Sequence, residues 1–170
     1  MVLDWGKKGQ LEVVETEKAN GKFAICKIFN HLDQTFILCG SKNFHLLTTI
    51  DQLDSVITSS NNEITNSILL DIKQNYKELI SLSNYFNQGY SIVGELCDGQ
   101  HFTDGDNTVS WFGLFRNGIP LEDNLCFNAL TDSGLKTVSY STVFTPKNDV
   151  SELENVFLAS RCKPNEGSVL

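Results

Sequence analysis

A lysine stands three residues ahead of a glycine in Glu17-Lys18-Ala19-Asn20-Gly21, directly behind the β-prone run 11–16, Leu-Glu-Val-Val-Glu-Thr. A primary amine at such a turn is a candidate nucleophile. It attacks phosphorus only when deprotonated, and a free pKa of about 10.4 makes that form scarce near neutrality. Partial burial, a neighbouring lysine or a bound metal would favour the neutral amine. Gly21 is expected to take a backbone conformation closed to other residues and so to allow a close approach. Two glutamates, each beside a glycine, follow far downstream: Gly94-Glu95-Leu96 and Glu166-Gly167-Ser168-Val169-Leu170. Glu95 ends an apolar strand pattern, where an unpaired charge is costly and a partner is required.

These residues need elements to hold them. Phe23, Ile25, Lys27 and Phe29 alternate with Ala24, Cys26 and Ile28, which predicts a strand covered on both faces. His31-Leu32-Asp33-Gln34 reads as a turn into a second strand, Thr35 to Cys39, ending at Gly40. That hairpin places the lysine at the mouth of a sheet. Over 61–88 the texture changes. Ile64, Ile68, Ile72, Tyr76 and Leu79 recur at three- and four-residue spacing, with Asn61, Asn62 and Glu63 for capping and Gly89 beyond the end. One long amphipathic helix is predicted there. Strands resume at 90–96, 108–115 and 137–144, separated by Gly-, Asp- and Asn-rich loops, and 151–159 reads as a short helix capped by Ser151 and Glu154. The expected fold class is α+β, with largely antiparallel sheets and packed helices, as a single domain spanning 1–170.

Composition narrows the options. At 170 residues the chain can bury a substantial core, and no apolar run approaches the roughly 20 residues of a spanning helix. Five dispersed cysteines without a C-x-x-C pair read as reduced thiols of a cytoplasmic or nuclear protein rather than a disulfide frame or zinc site. His31, His45 and His101 lack metal-site spacing, and no G-x-x-x-x-G-K-[ST] phosphate loop is present. A net charge of −8 argues against non-specific nucleic-acid binding, which depends on Lys and Arg contacts to phosphates. Any RNA must meet a local basic groove or another domain.

Taken together, the lysine and the two glutamates resemble motifs I, III and IV of the covalent nucleotidyltransferases, the superfamily of ATP-dependent RNA and DNA ligases and capping enzymes. Thr16-Glu17-Lys18-Ala19-Asn20-Gly21 is similar to the T-E-K-x-x-G form found in RNA ligases, and its Ala-Asn-Gly continuation is like that of fungal-type tRNA ligases. Asn20 stands where DNA ligases and capping enzymes more often have aspartate. The resemblance implies Lys18 as the residue that accepts AMP, with Glu17 beside the adenine and Asn20 and Gly21 lining the nucleotide. Gly40-Ser41-Lys42-Asn43 resembles motif Ia, with Lys42 in place of the commoner arginine as a point charge on the nucleotide or RNA end. Glu95 takes the place of the motif III carboxylate that contacts the ribose. Ser110-Trp111-Phe112-Gly113-Leu114-Phe115 is like motif IIIa, and Phe112 is the ring implied to stack on the purine. Simple alternation puts Trp111, Gly113 and Phe115 on one face and Phe112 and Leu114 on the other. Glu166 corresponds to the motif IV ligand of Mg²⁺, a cation suited to carboxylates, retained waters and phosphate oxygens.

The implied activity is that of an RNA ligase, taking ATP and Mg²⁺ and joining RNA ends, in tRNA splicing or RNA repair, with tRNA halves as candidate substrates. One part of the pattern departs. Motif V, a K-x-K strand that follows motif IV and neutralises the α-phosphate, is absent before Leu170. The chain therefore reads as a domain truncated after motif IV, with further domains expected in a longer polypeptide, and the isolated 170 residues are expected to be inactive or very slow. The rival reading is a nucleotide- or RNA-binding module without turnover. A capping-type guanylyltransferase is disfavoured by Asn20.

Overall fold

Alternating β-prone segments and one amphipathic stripe build a mixed α+β structure, seen in a computed structural model that describes residues 13–97, 107–144, Asn155, Leu158, Ser168 and Val169. The chain divides into two compact units, Ala19–Thr137 and the pair of segments Met1–Lys18 with Val138–Leu170.

The Ala19–Thr137 unit holds a six-stranded antiparallel sheet in the order β4-β3-β2-β5-β6-β7. Its strands are β2 (Lys22–His31), β3 (Gln34–Gly40), β4 (His45–Thr49), β5 (Ser91–Cys97), β6 (Thr108–Arg116) and β7 (Ile119–Pro120). The β2–β3 hairpin closes on Leu32 and Asp33, whose φ angles of 47° and 61° are the left-handed pair that a two-residue turn requires. Side-chain alternation then sets two faces. Ala24, Cys26, Ile28, Ile37, Cys39, Ile92, Leu96, Val109, Trp111 and Leu114 point into the core. Phe23, Ile25, Lys27, Phe29 and Leu38 point the other way. The expected double covering of β2 is not found: Phe23 keeps 39% of its surface exposed and Leu47, on β4, keeps 55%.

Helices cover the core face: α1 (Leu53–Ser59), α2 (Glu63–Gln74), α3 (Tyr76–Ser81), α4 (Ser83–Asn87) and α5 (Asp123–Ser133). Leu53, Ile68, Leu69, Ile72, Leu79, Leu82, Phe86 and Leu130 fill the core against the sheet. The capping reading of Asn62 holds, since its Oδ1 accepts the Thr65 N–H at 3.0 Å. Gly89, just past α4, sits at φ 94°.

The single long helix predicted over 61–88 is instead three helices. Asn75, at φ −104° and ψ 25°, breaks the first junction, and its side-chain amide donates to the Asp71 carbonyl at 3.0 Å. The Asp71 carbonyl also accepts the Asn75 backbone N–H at 2.9 Å, so it holds both donors of the residue at the junction. Leu82, at φ −84° and ψ 8°, makes the second break. The two bends keep Leu79, Leu82 and Phe86 all buried.

In the other unit, β1 (Val13–Glu17) lies between β8 (Tyr140–Phe144) and β9 (Ser168–Val169), both antiparallel to it. Of the expected helix over 151–159, only Asn155 and Leu158 are described, and both are helical.

Candidate functional site

Lys18 follows β1 immediately and is exposed. Two neighbours define the strand that delivers it. The Glu17 backbone N–H donates to the Ser139 carbonyl at 2.9 Å, and the Ser139 hydroxyl donates to a Glu17 carboxylate oxygen at 3.0 Å. On the other side of β1, Ser168 pairs with Glu17 and Val169 with Thr16. The lysine motif and the tail of the Glu166-Gly167-Ser168-Val169 motif therefore run as adjacent strands. Glu166 and Gly167 themselves lie outside the described residues.

The remaining candidates belong to the Ala19–Thr137 unit. Asn20 is half-buried in the link to β2. Gly21 does not occupy the left-handed region, unlike Gly89, Gly118 and Gly134. Its requirement is steric. A Cβ there would overlap the Leu96 carbonyl oxygen and stand 2.8 Å from the carbonyl carbon, where β2 begins to pair with β5. Only a residue without a side chain lets the two backbones come so close. Lys42 is exposed in the tight turn between β3 and β4, which the Ser41 N–H closes by donating to the Phe44 carbonyl at 2.8 Å.

Glu95 is half-buried on β5, opposite Phe23 of β2 and Ser110 of β6, on the sheet face turned away from the helices. The register of β6 departs from simple alternation just beyond it. Gly94 pairs with Trp111 and Val93 with Gly113, so Phe112 is the extra residue of a β-bulge. The bulge resets the faces. Trp111 and Leu114, expected on opposite faces, are both fully buried in the core. Phe112 follows Trp111 onto the outer face, and Gly113, opposite Val93, lies there with it. A Cβ on Gly113 would meet the Phe115 ring at 2.5 Å, so this glycine leaves room for that aromatic. Phe112 is half-buried, on the same face as Glu95, Phe23 and Lys27.

One charged residue escaped the sequence reading. Asp71 of α2 is only 3% exposed, and its Oδ1 accepts the Val109 N–H of β6 at 3.0 Å. Burial pushes its carboxyl up from the ordinary value of 3.8, against the opposing pull of the Val109 N–H, the Asn75 amide and the Lys136 ammonium. Among the described residues, Asp71 Oδ2 and Trp111 Nε1 are buried without a hydrogen-bond partner. The signal lay in Leu69-Leu70-Asp71-Ile72, an acid three residues from Ile68 on the buried stripe.

Among the described residues no group of three or more His, Cys, Asp or Glu gathers to hold a metal, so the Mg²⁺ expectation rests on Glu166, outside them. No described helix is long and apolar enough to cross a membrane. Comparison with known proteins gives no matching family model, no matching curated protein and no matching solved structure.

Proposed function

We propose that this chain is the adenylyltransferase part of an ATP-dependent RNA ligase. The observation that supports the reading is the register of β9 on β1: Thr16 and Glu17, just before Lys18, pair with Val169 and Ser168, which follow Glu166 in sequence. A second support is the common sheet face of Glu95 and Phe112, a carboxylate and a ring displaced outward by a bulge. Lys18 Nζ attacks the α-phosphorus of ATP. An N–P bond forms, the bond to pyrophosphate breaks, and the amine proton passes to solvent. The AMP then moves to an RNA 5′-phosphate with release of the lysine, and an RNA 3′-hydroxyl displaces AMP to seal the strand. Glu17, Asn20, Gly21, Lys42, Glu95 and Phe112 bind the nucleotide in this reading. Glu166 would hold Mg²⁺, whose charge would offset that of the phosphates.

The test is labelling by α-labelled ATP with Mg²⁺, using the chain continued through a K-x-K strand. Label is expected in the parent, lost in Lys18→Ala and retained in Lys42→Ala at high ATP. Unchanged labelling of Lys18→Ala removes the assignment.

The exposure of Lys18 and the charge of −8 favour a second reading, a nucleotide- or RNA-binding module without turnover. Calorimetric ATP binding without covalent transfer in the continued chain selects it. A third reading, a capping-type guanylyltransferase, is separated by comparing labelling from GTP and ATP.

A further inference from the structure

Among the described residues, β7 pairs only with Phe115 and Arg116, and the half of β6 that precedes the bulge has on that edge a single bridge, between Trp111 and Thr137. Its backbone donors are nevertheless satisfied. Val109 N–H goes to the Asp71 carboxylate at 3.0 Å, and Trp111 N–H goes to the Lys136 carbonyl at 2.9 Å. Lys136 is itself tied to this strand, since its Nζ donates to Thr108 Oγ1 at 2.8 Å. Beyond the bulge, the Leu114 carbonyl accepts from Leu121 N–H at 2.8 Å. The strand is thus pinned on both sides of the one residue that its ladder leaves out, Phe112. A bulge left unpinned has freedom to migrate by one residue, and a slip of one residue sends every side chain to the opposite face.

Asp71 is the unusual pin. A buried carboxylate is costly where a neutral amide oxygen would also accept an N–H. Its one hydrogen bond to β6 goes to the Val109 amide, two residues before the fully buried Trp111 and three before Phe112. We propose that Asp71 is a positioning residue that fixes the register of β6 at its bulge and so holds the Phe112 ring on the outer face of the sheet. It acts through β6 rather than on any ligand. The consequence for nucleotide binding rests on the ligase reading, in which Phe112 stacks on a purine.

Two measurements separate the inference from that reading. Selectively labelled Phe gives ring signals for Phe112, assigned by their loss in Phe112→Ala. Those signals are expected to shift in Asp71→Leu, which keeps the volume but removes the acceptor, and to stay in place in Asp71→Asn, which keeps an oxygen for Val109 N–H. Should Asp71→Leu fail to fold, Asp71→Ala takes its place. Phe112 signals unmoved in a folded Leu or Ala variant overturn the positioning role, whether or not ATP binds. The second measurement is ATP affinity by calorimetry. Phe112→Ala is expected to weaken it about tenfold, the loss of one base–ring stack. Asp71→Leu is expected to weaken it severalfold alone and to add nothing in the Phe112→Ala background, while inorganic pyrophosphate affinity stays constant. Multiplying effects in the double variant overturn the proposal. If the parent protein binds no ATP, the ligase reading fails and the ring signals still decide the role of Asp71.

Discussion

Replacing Gly21 with alanine puts one methyl group where β2 leaves the lysine-bearing segment and begins to pair with β5. The added carbon would overlap the Leu96 carbonyl oxygen, approach the carbonyl carbon to 2.8 Å and the Cys97 nitrogen to 3.3 Å. All three are backbone atoms of a central strand, so no side chain can swing aside. The strands must part at this end, which disrupts the pairing of Lys22 with Leu96. Strain from an overfilled site costs about 1–3 kcal/mol, and a lost ladder hydrogen bond about 1 kcal/mol more. A loss of about 2–4 kcal/mol lowers the melting temperature of a domain this size by roughly 4–16 °C. Thermal melting by circular dichroism reads that shift. Hydrogen exchange should also quicken at Lys22 and Phe23 before it does at Ile37. Gly118→Ala is the control. It has open space but φ 77°, so it isolates the conformational penalty of about 1–2 kcal/mol. If Gly21→Ala melts at or above the parent temperature, the close approach to Leu96 is wrong, and with it the account of why glycine stands there.

Further predictions concern the core. Asp71 binds its proton more tightly folded than unfolded, so its contribution to stability is fully present below 3.8 and is lost as pH rises through the higher folded value. Asp71→Asn should therefore gain on the parent as pH rises above 3.8 in paired denaturation curves, and a constant difference would refute the sign. Burial raises the Cys39 thiol to about 12 and the Cys126 thiol to about 11, and it raises Cys26 too, with Cys39 and Asp71 adding to the effect. All three should resist alkylation in the native protein at about pH 8 and react on unfolding, as mass mapping would show. Trp111→Ala empties the largest fully buried side-chain position and should cost about 3–5 kcal/mol in chemical denaturation.

What could be read from the sequence was what short-range pattern dictates. The β2–β3 hairpin announces itself through alternation on both sides of Leu32-Asp33, and the stripe of Ile64, Ile68 and Ile72 announces α2. The pattern could not show that this stripe bends twice, because the first break falls at Asn75, which leaves helical backbone angles with no glycine or proline to mark the place. Nor did it reveal α1, where Leu-Asp-Ser-Val-Ile-Thr-Ser mixes β-branched and cap-forming residues, or α5, whose apolar positions Cys126, Phe127 and Leu130 are diluted by Asn and Thr. The bulge at Phe112 was illegible for a deeper reason. It is a property of pairing with Val93 and Gly94, and no window along one strand contains it. Of the candidate site, the structure puts Glu95 and Phe112 on one sheet face and the Lys18 motif beside the strand that follows Glu166. Asp71 emerged only when α2 met β6.

The Lys18 amine is proposed to carry AMP, and mapping of the modified peptide decides it. The chain continued through a K-x-K strand would be incubated with ATP and Mg²⁺, digested at alkaline pH and sequenced by mass spectrometry. The account predicts a single acid-labile adenylyl group on Lys18, absent from Lys18→Ala. An adenylyl group on another residue, or none on a protein that binds ATP, would contradict it.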